Sequence, residues 1–249
     1  MMANPNVLIS SDYGPIIINR YDPFIGMDIA RIGYCFKDDI ALIKSIIEFL
    51  LTKSDSVTYY DCGSNIGTHT LALGRTFRER IKIRAFEAQR QIFYMLCGTV
   101  ALNGLSNTHV HNNAVSDSQD TIDIALPDYN AVNNFGGVEM MTPKKWSDNE
   151  TMVKVSSEKV SCVTLDSFQE RVDFIKLDIE GMEDRALNGA IQTIETHRPV
   201  CFIEILKTDV DFVLNFFKTR NYVAFQSNAD AIFIPSELGY NLADLKKLF

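Results

Sequence analysis

Val57-Thr58-Tyr59-Tyr60-Asp61-Cys62-Gly63-Ser64-Asn65-Ile66-Gly67-Thr68-His69-Thr70 decides the fold. The run from Val57 to Tyr60 is β-branched and aromatic, which suits a strand. It stops at Asp-Cys-Gly-Ser-Asn-Ile-Gly, and a helical spacing of Ile66, Thr70, Leu73 and Phe77 begins at once. Strand, tight glycine turn and helix make the first unit of a nucleotide-type α/β sheet. Gly63 and Gly67 permit positive φ and close backbone approach. The helix start offers unpaired N–H groups and the positive end of its dipole. A ligand bearing ribose or carboxylate groups is expected there.

Working outward, Ile16 to Arg20 is a strand candidate between Gly14-Pro15 and Asp22-Pro23. Asp38 to Leu51 has helical spacing, with Asp38 or Asp39 able to cap its start. Residues 1–55 thus form a strand and helix extension packed on the core of one domain spanning 1–249. Past the turn, Ile81 to Phe86 is a strand and Ala88 to Asn103 a helix. Strands follow at His109 to Val115, Thr121 to Leu126 and Val153 to Val163. Val172 to Leu177 is the next strand, then a helix carrying Met182 to Ile194. Pro199 to Ile205 is a buried strand broken only by Glu204, and a helix carries Val210 to Phe217. Tyr222 to Phe225 and Ala231 to Ile234 close as an antiparallel pair, ahead of a loosely packed tail with a short helix. Strands alternating with helices imply a mostly parallel sheet with helices on both faces and an antiparallel edge hairpin.

Composition narrows the function. The 249 residues are 46% hydrophobic and 22% charged, ample for a sizeable core. A net charge of −8 disfavours a nucleic-acid partner, since phosphate binding rests on Lys and Arg. Lys144-Lys145 and the stretch from Arg75 to Arg84 read as solvated surface. Five scattered cysteines without a CxxC pair indicate buried free thiols in a reducing compartment. No secretory leader and no membrane-spanning run is recognisable, so a soluble, cytoplasmic protein is expected.

In open α/β sheets ligands sit beyond the carboxyl ends of the strands. The polar residues ending the strand patterns are Asp61, Glu87, Asn113, Asp178 and Glu204. Glu87 lies 20 residues beyond Gly67, where a carboxylate accepts ribose hydroxyls and repels a 2′-phosphate. The turn lacks the third glycine of GxGxxG and begins with an acid. Asp61 suits an amino group and a sulfonium better than a pyrophosphate. S-adenosylmethionine carries both cations. An NAD-dependent oxidoreductase and a non-catalytic cofactor-binding protein stay as alternatives.

The blocks from Asp61 to Thr70, Ala85 to Gln89, Asn113 to Asp117 and Phe174 to Glu183 resemble the FkbM family of S-adenosylmethionine-dependent methyltransferases. The Lys176-x-Asp178-x-Glu180-Gly181-x-Glu183 block is the most specific of them. The likeness runs over roughly residues 15–205. Ser64 and Ala88 replace the alanine and proline usual in the family. The resemblance implies a class I methyltransferase sheet of seven strands and O-methylation of a hydroxyl on a sugar, glycan or other small-molecule scaffold. It also implies roles for single residues. Asp61, Gly63, Ser64, Asn65 and Gly67 would hold the methionine end, and Glu87 with Ala88 the ribose. Asn113 and Ala114 would line the adenine, and Asp178 would face the transferred methyl.

A hydroxyl acceptor has a pKa near that of water, about 15.7, so a base must take its proton as the bond to carbon forms. The candidates are Asp178, Glu180, Glu204 and His69; His69, one turn into the first helix, reads more readily as a packing or capping residue. Asp178, Glu180 and Glu204 can together hold a divalent ion, although no metal-ligand spacing is present and no metal is expected. The polar stretch from Pro127 to Asn149 is long enough to be functional. Within it Tyr129 and Phe135 are expected to stack on the acceptor, and Asn130, Asn133 and Asn134 to bond its hydroxyls.

Overall fold

The computed structural model describes residues 4–137 and 154–249. The chain opens with a hairpin of β1 (Asn6–Ser11) and β2 (Gly14–Asn19). Helices α1 (Ile25–Ile32) and α2 (Lys37–Leu50) follow. The βα units are β3 (Val57–Cys62), α3 (Thr68–Phe77), β4 (Ile81–Phe86), α4 (Arg90–Leu102) and β5 (Thr108–His111). Then come β6 (Ala114–Val115), β7 (Thr121–Pro127) and β8 (Lys154–Val163), which form a small sheet in the order β6-β8-β7. The chain returns through β9 (Phe174–Leu177), α5 (Glu183–Asn188), α6 (Ile191–His197), β10 (Val200–Glu204) and α7 (Val210–Lys218). It ends in β11 (Tyr222–Ser227), β12 (Asp230–Pro235) and β13 (Lys246–Lys247).

The main sheet has eight strands in the order β13-β11-β12-β10-β9-β3-β4-β5. The five from β10 to β5 run parallel, and β12, β11 and β13 are antiparallel. Seven strands were expected; the eighth is the two-residue β13. The tail that carries it is not loose. Leu242 is buried, Tyr240 stands 4.4 Å from the Phe49 ring, and Leu248 N donates to Ala224 O at 2.8 Å.

Side chains alternate across each strand, so neighbours enter different cores. Tyr59, Phe174 and Phe202 pack with Ile43, Ile47 and Leu96 of α2 and α4. Tyr60, Ile175 and Ile203 pack with Leu187, Ile194 and Phe217 of α5, α6 and α7. Helices therefore cover both faces. The amino-terminal hairpin lies on α4, where Ile17 N donates to Thr99 Oγ1 at 3.3 Å.

Several boundaries depart from the sequence reading for local reasons. Neither Asp38 nor Asp39 caps α2; Phe36 occupies the cap position with φ 57° and no side-chain bond, leaving both acids in the first turn near the positive dipole end. Helix α1 was hidden by Pro23 and Gly26, yet Asp22 starts it by accepting from Phe24 N and Gly26 N at 3.0 and 3.1 Å. The strand expected from His109 to Val115 is two strands in different sheets. Asn112 Nδ2 bonds the carbonyls of Glu87 and Ala88 at 2.9 and 3.0 Å, which turns the chain between them. The helix after Gly181 is also two, because the Asp166 carboxylate takes Gln192 N and Thr193 N at 3.1 and 2.7 Å and begins α6 afresh. Among the described residues no helix is long and apolar enough to cross a membrane.

Candidate active site

The order of the parallel strands reverses between β3 and β9, and a cavity of about 310 Å³ opens beyond the carboxyl ends of β3, β4, β9 and β10. The glycine turn forms its floor. Gly63 N and Ser64 N both donate to Phe86 O, at 3.0 and 2.9 Å, so the turn is tied to the tip of β4. Gly63 has φ 77°, and a Cβ built on it would lie 1.7 Å from the Asp178 carbonyl oxygen. Only glycine lets the β3 and β9 loops approach this closely. Gly67, at φ 91°, begins α3 against Leu96 of α4; it does not itself reach the cavity.

Glu87 follows β4 and is buried at the cavity wall. Its Oε2 accepts from Asn65 N at 3.0 Å and its Oε1 from Gln89 N at 2.7 Å. Burial raises its carboxyl to about 7, against the pull of those two bonds. Ala88, Asn113 and Ala114 line the same end of the cavity, and Asn113 Nδ2 also donates to Ser161 O at 3.1 Å. Ser64, Asn65 and Asp178 line it from the turn and the β9 loop.

Asp61 is placed differently from the sequence reading. It is fully buried beneath the turn, outside the cavity wall, and its Oδ2 accepts from Thr70 Oγ1 at 2.6 Å. Lys176, to which the sequence reading gave no role, lies between the two aspartates. Its Nζ is 3.2 Å from Asp178 Oδ2, 3.4 Å from Gly63 O and 3.8 Å from Asp61 Oδ1. Burial works against its charge, but Asp178 and Asp61 outweigh that and hold the ammonium above its ordinary range. The signal was present, since Lys176 is the only charge inside the apolar strand from Phe174 to Leu177.

Of the four candidate bases, all line the cavity. Asp178 is engaged with Lys176, and Glu180 forms an ion pair with Lys207. Burial still raises Glu180 to about 8. His69 Nε2 and Glu204 Oε2 are buried without a hydrogen-bond partner. Burial, with Lys176 nearby, keeps the His69 imidazole neutral far below its ordinary range. Burial and then the Asp178 charge raise Glu204. Among the described residues no three His, Cys, Asp or Glu side chains converge as a metal site.

The proposed acceptor loop is only partly at the cavity. Residues 138–149 of it lie outside the described residues. Asn134 lines the wall together with Gly136 and Gly137, and its Oδ1 accepts from Gly137 N at 2.9 Å. Tyr129, Asn130 and Asn133 do not reach it. Tyr129 OH donates to Gln89 Oε1 at 2.8 Å, and Asn133 N donates to Tyr21 O at 3.1 Å. Phe135 is not available to stack on an acceptor. It is 1% exposed and packs among Ile16, Ile18, Ile29 and Ile66 of the amino-terminal core. In its place Phe24, Ile25, Phe36 and Leu206 supply apolar wall, from segments in which the sequence carried no sign of a site.

A switch-point cavity, an interlocked glycine turn and a buried acid closing the second parallel strand define the Rossmann-like class that binds nucleoside cofactors. The sequence profile of the methyltransferase FkbM domain matches residues 61–224, and the chain belongs to the FkbM methyltransferase family. No curated protein matches the chain in sequence. The fold is similar to that of methyltransferase FkbM from Methylobacillus flagellatus KT, with 19% identity and a TM-score of 0.51 over 72% of this chain and 44% of that one. Monomeric WbdD gives a TM-score of 0.51 at 7% identity, over 85% of this chain and 46% of that one. A SAM-dependent O-methyltransferase from Thermotoga maritima gives 0.46 at 12% identity, over 92% and 77%. The chain thus spans less than half the length of the first two structures.

Proposed function

We propose that the chain transfers the methyl group of S-adenosylmethionine to a hydroxyl oxygen of a small-molecule or glycan acceptor. The observation that carries this is Glu87. The residue lines the cavity, and each of its oxygens accepts one main-chain N–H and has a further lone pair to offer, which suits the two hydroxyls of an unphosphorylated ribose. Ala88, Asn113 and Ala114 flank that position and fit an adenine ring. Gly63, Ser64, Asn65 and Asp178 fit the amino-acid end, while Asp61 acts from below by anchoring Lys176 and Thr70. S-adenosylmethionine, when bound, supplies an electrophilic methyl group on a sulfonium.

Positioning is then the main task of the protein, with one proton to remove from the acceptor. Glu204 is the better group for that proton. A raised carboxyl pKa strengthens it as a base, whereas the depressed His69 is a weaker one. The net charge of −8 and the acidic cavity argue for a small acceptor and against a nucleic acid.

Calorimetric titration tests the reading. Saturable 1:1 binding of S-adenosylhomocysteine with none of NAD is expected. Binding of NAD in its place would overturn the methyl-transfer reading of the cavity.

A further inference from the structure

Beyond the cofactor residues, the cavity is finished by apolar side chains from three distant segments. Phe24 and Ile25 come from the start of α1, Phe36 from the start of α2, and Leu206 from the loop after β10. Phe24 is 53% and Leu206 68% exposed, although both line the cavity. A single exposed apolar residue needs no explanation, but two flanking a concave site mark what the ligand covers.

The charges at the same place point the same way. Four carboxyl groups line the cavity, those of Glu87, Asp178, Glu180 and Glu204, against the ammoniums of Lys176 and Lys207. Both ammoniums are already paired, Lys176 with Asp178 and Lys207 with Glu180. Among the described lining residues no cationic side chain is left for a phosphate or carboxylate on the acceptor. The other polar side chains there include those of Thr68 and His69, which line the cavity and add no charge to it.

We propose that the methyl acceptor is an uncharged compound whose hydroxyl is carried on an apolar body, a ring or chain that Phe24, Phe36 and Leu206 cover. The inference rests on the methyltransferase reading of this cavity and narrows it: a bare sugar lacks the apolar face, and a sugar phosphate adds a charge that the wall repels.

Three probes with the same sugar hydroxyls separate these cases: phenyl β-glucoside, glucose and glucose 6-phosphate. Each is titrated by ligand-observed NMR into the full chain saturated with S-adenosylhomocysteine. Phenyl β-glucoside should bind about ten-fold or more tightly than glucose, as burial of a ring against apolar walls implies. Glucose 6-phosphate should bind no better than glucose. The phenyl advantage should fall below about three-fold in the Phe24→Ser/Leu206→Ser variant, whose circular dichroism and cofactor affinity report that it is folded. Equal affinities, no binding by any probe, a preference for the phosphate, or an advantage that survives the double substitution would each overturn the proposal. If the native chain fails to bind S-adenosylhomocysteine, the cofactor reading itself has failed, which is a separate result.

Discussion

Lys176 Nζ stands 3.2 Å from Asp178 Oδ2, a contact within the end of β9 that fixes the ammonium among the residues lining the cavity. The same ammonium reaches the Gly63 carbonyl and lies 3.8 Å from Asp61, so one buried cation fastens the β9 loop to the glycine turn of β3. Coulomb attraction is strong where water is excluded, but removing one partner leaves the others charged and unsolvated. Lys176→Met should therefore lower stability by about 3–5 kcal/mol, read as a fall in the urea midpoint at constant slope. Adding Asp61→Asn should recover part of that loss. A fall below about 1 kcal/mol, the level of an exposed pair, would show that the aspartates do not depend on Lys176.

Glu87 makes the affinity for cofactor depend on pH. Its carboxyl is raised by burial from 4.5 to about 7, and the ionised form is the better acceptor for ribose hydroxyls. Ligand donors favour ionisation, so binding of S-adenosylhomocysteine should tighten from about pH 6 to about pH 8. Glu87→Gln should flatten that rise, and Glu87→Ala should weaken binding by about 1–3 kcal/mol at the upper end. Calorimetry across the range checks both, and unchanged affinity in the alanine variant would take the ribose away from Glu87.

How far the site could be read from sequence follows from the range of the interactions involved. The turn from Asp61 to Gly67 and the acid at Glu87 were legible because strand, turn and helix are local patterns. Asp61 and Phe135 were misplaced for a shared reason. Polarity near a glycine turn, or an aromatic ring in a polar loop, does not say which way a side chain faces. Asp61 lies inside β3 on the buried side, and Phe135 turns into the core formed by β2, α1 and α4. Phe24, Phe36 and Leu206 meet at the cavity only because the chain brings residues nearly 200 positions apart together, and no local spacing encodes that. Glu204 was visible because a charge interrupting an apolar strand is conspicuous without any structure.

The placement of Phe135 has its own consequence. A ring buried to 1% exposure among Ile16, Ile18 and Ile29 leaves a void when truncated. Phe135→Ala should cost about 3–5 kcal/mol in chemical denaturation. A ring that served only to stack on an acceptor would leave stability unchanged, so the denaturation midpoint alone decides between the two roles.

Outside the cavity lining, Glu170 ties the link after β8 to two neighbouring strands. It accepts from Tyr60 OH at 2.9 Å and from Arg84 Nη2 at 3.1 Å, and it pairs with Lys82. Burial alone would raise this carboxyl, but the bonds from Arg84, Lys82 and Tyr60 overcome it and hold the group at about 2. A folded-state pKa below the ordinary 4.5 stabilises the fold wherever the carboxylate is ionised in the unfolded chain. That contribution is complete above the ordinary value and is lost as pH falls from there towards about 2. Glu170→Gln should therefore be less stable than the native chain by about 1–3 kcal/mol at neutral pH, the worth of charge-assisted bonds. The gap should narrow steadily below the ordinary carboxyl pKa. Thermal unfolding followed along a pH series checks this, and a gap of constant size down the whole series would show that the ionised carboxylate contributes nothing beyond its shape.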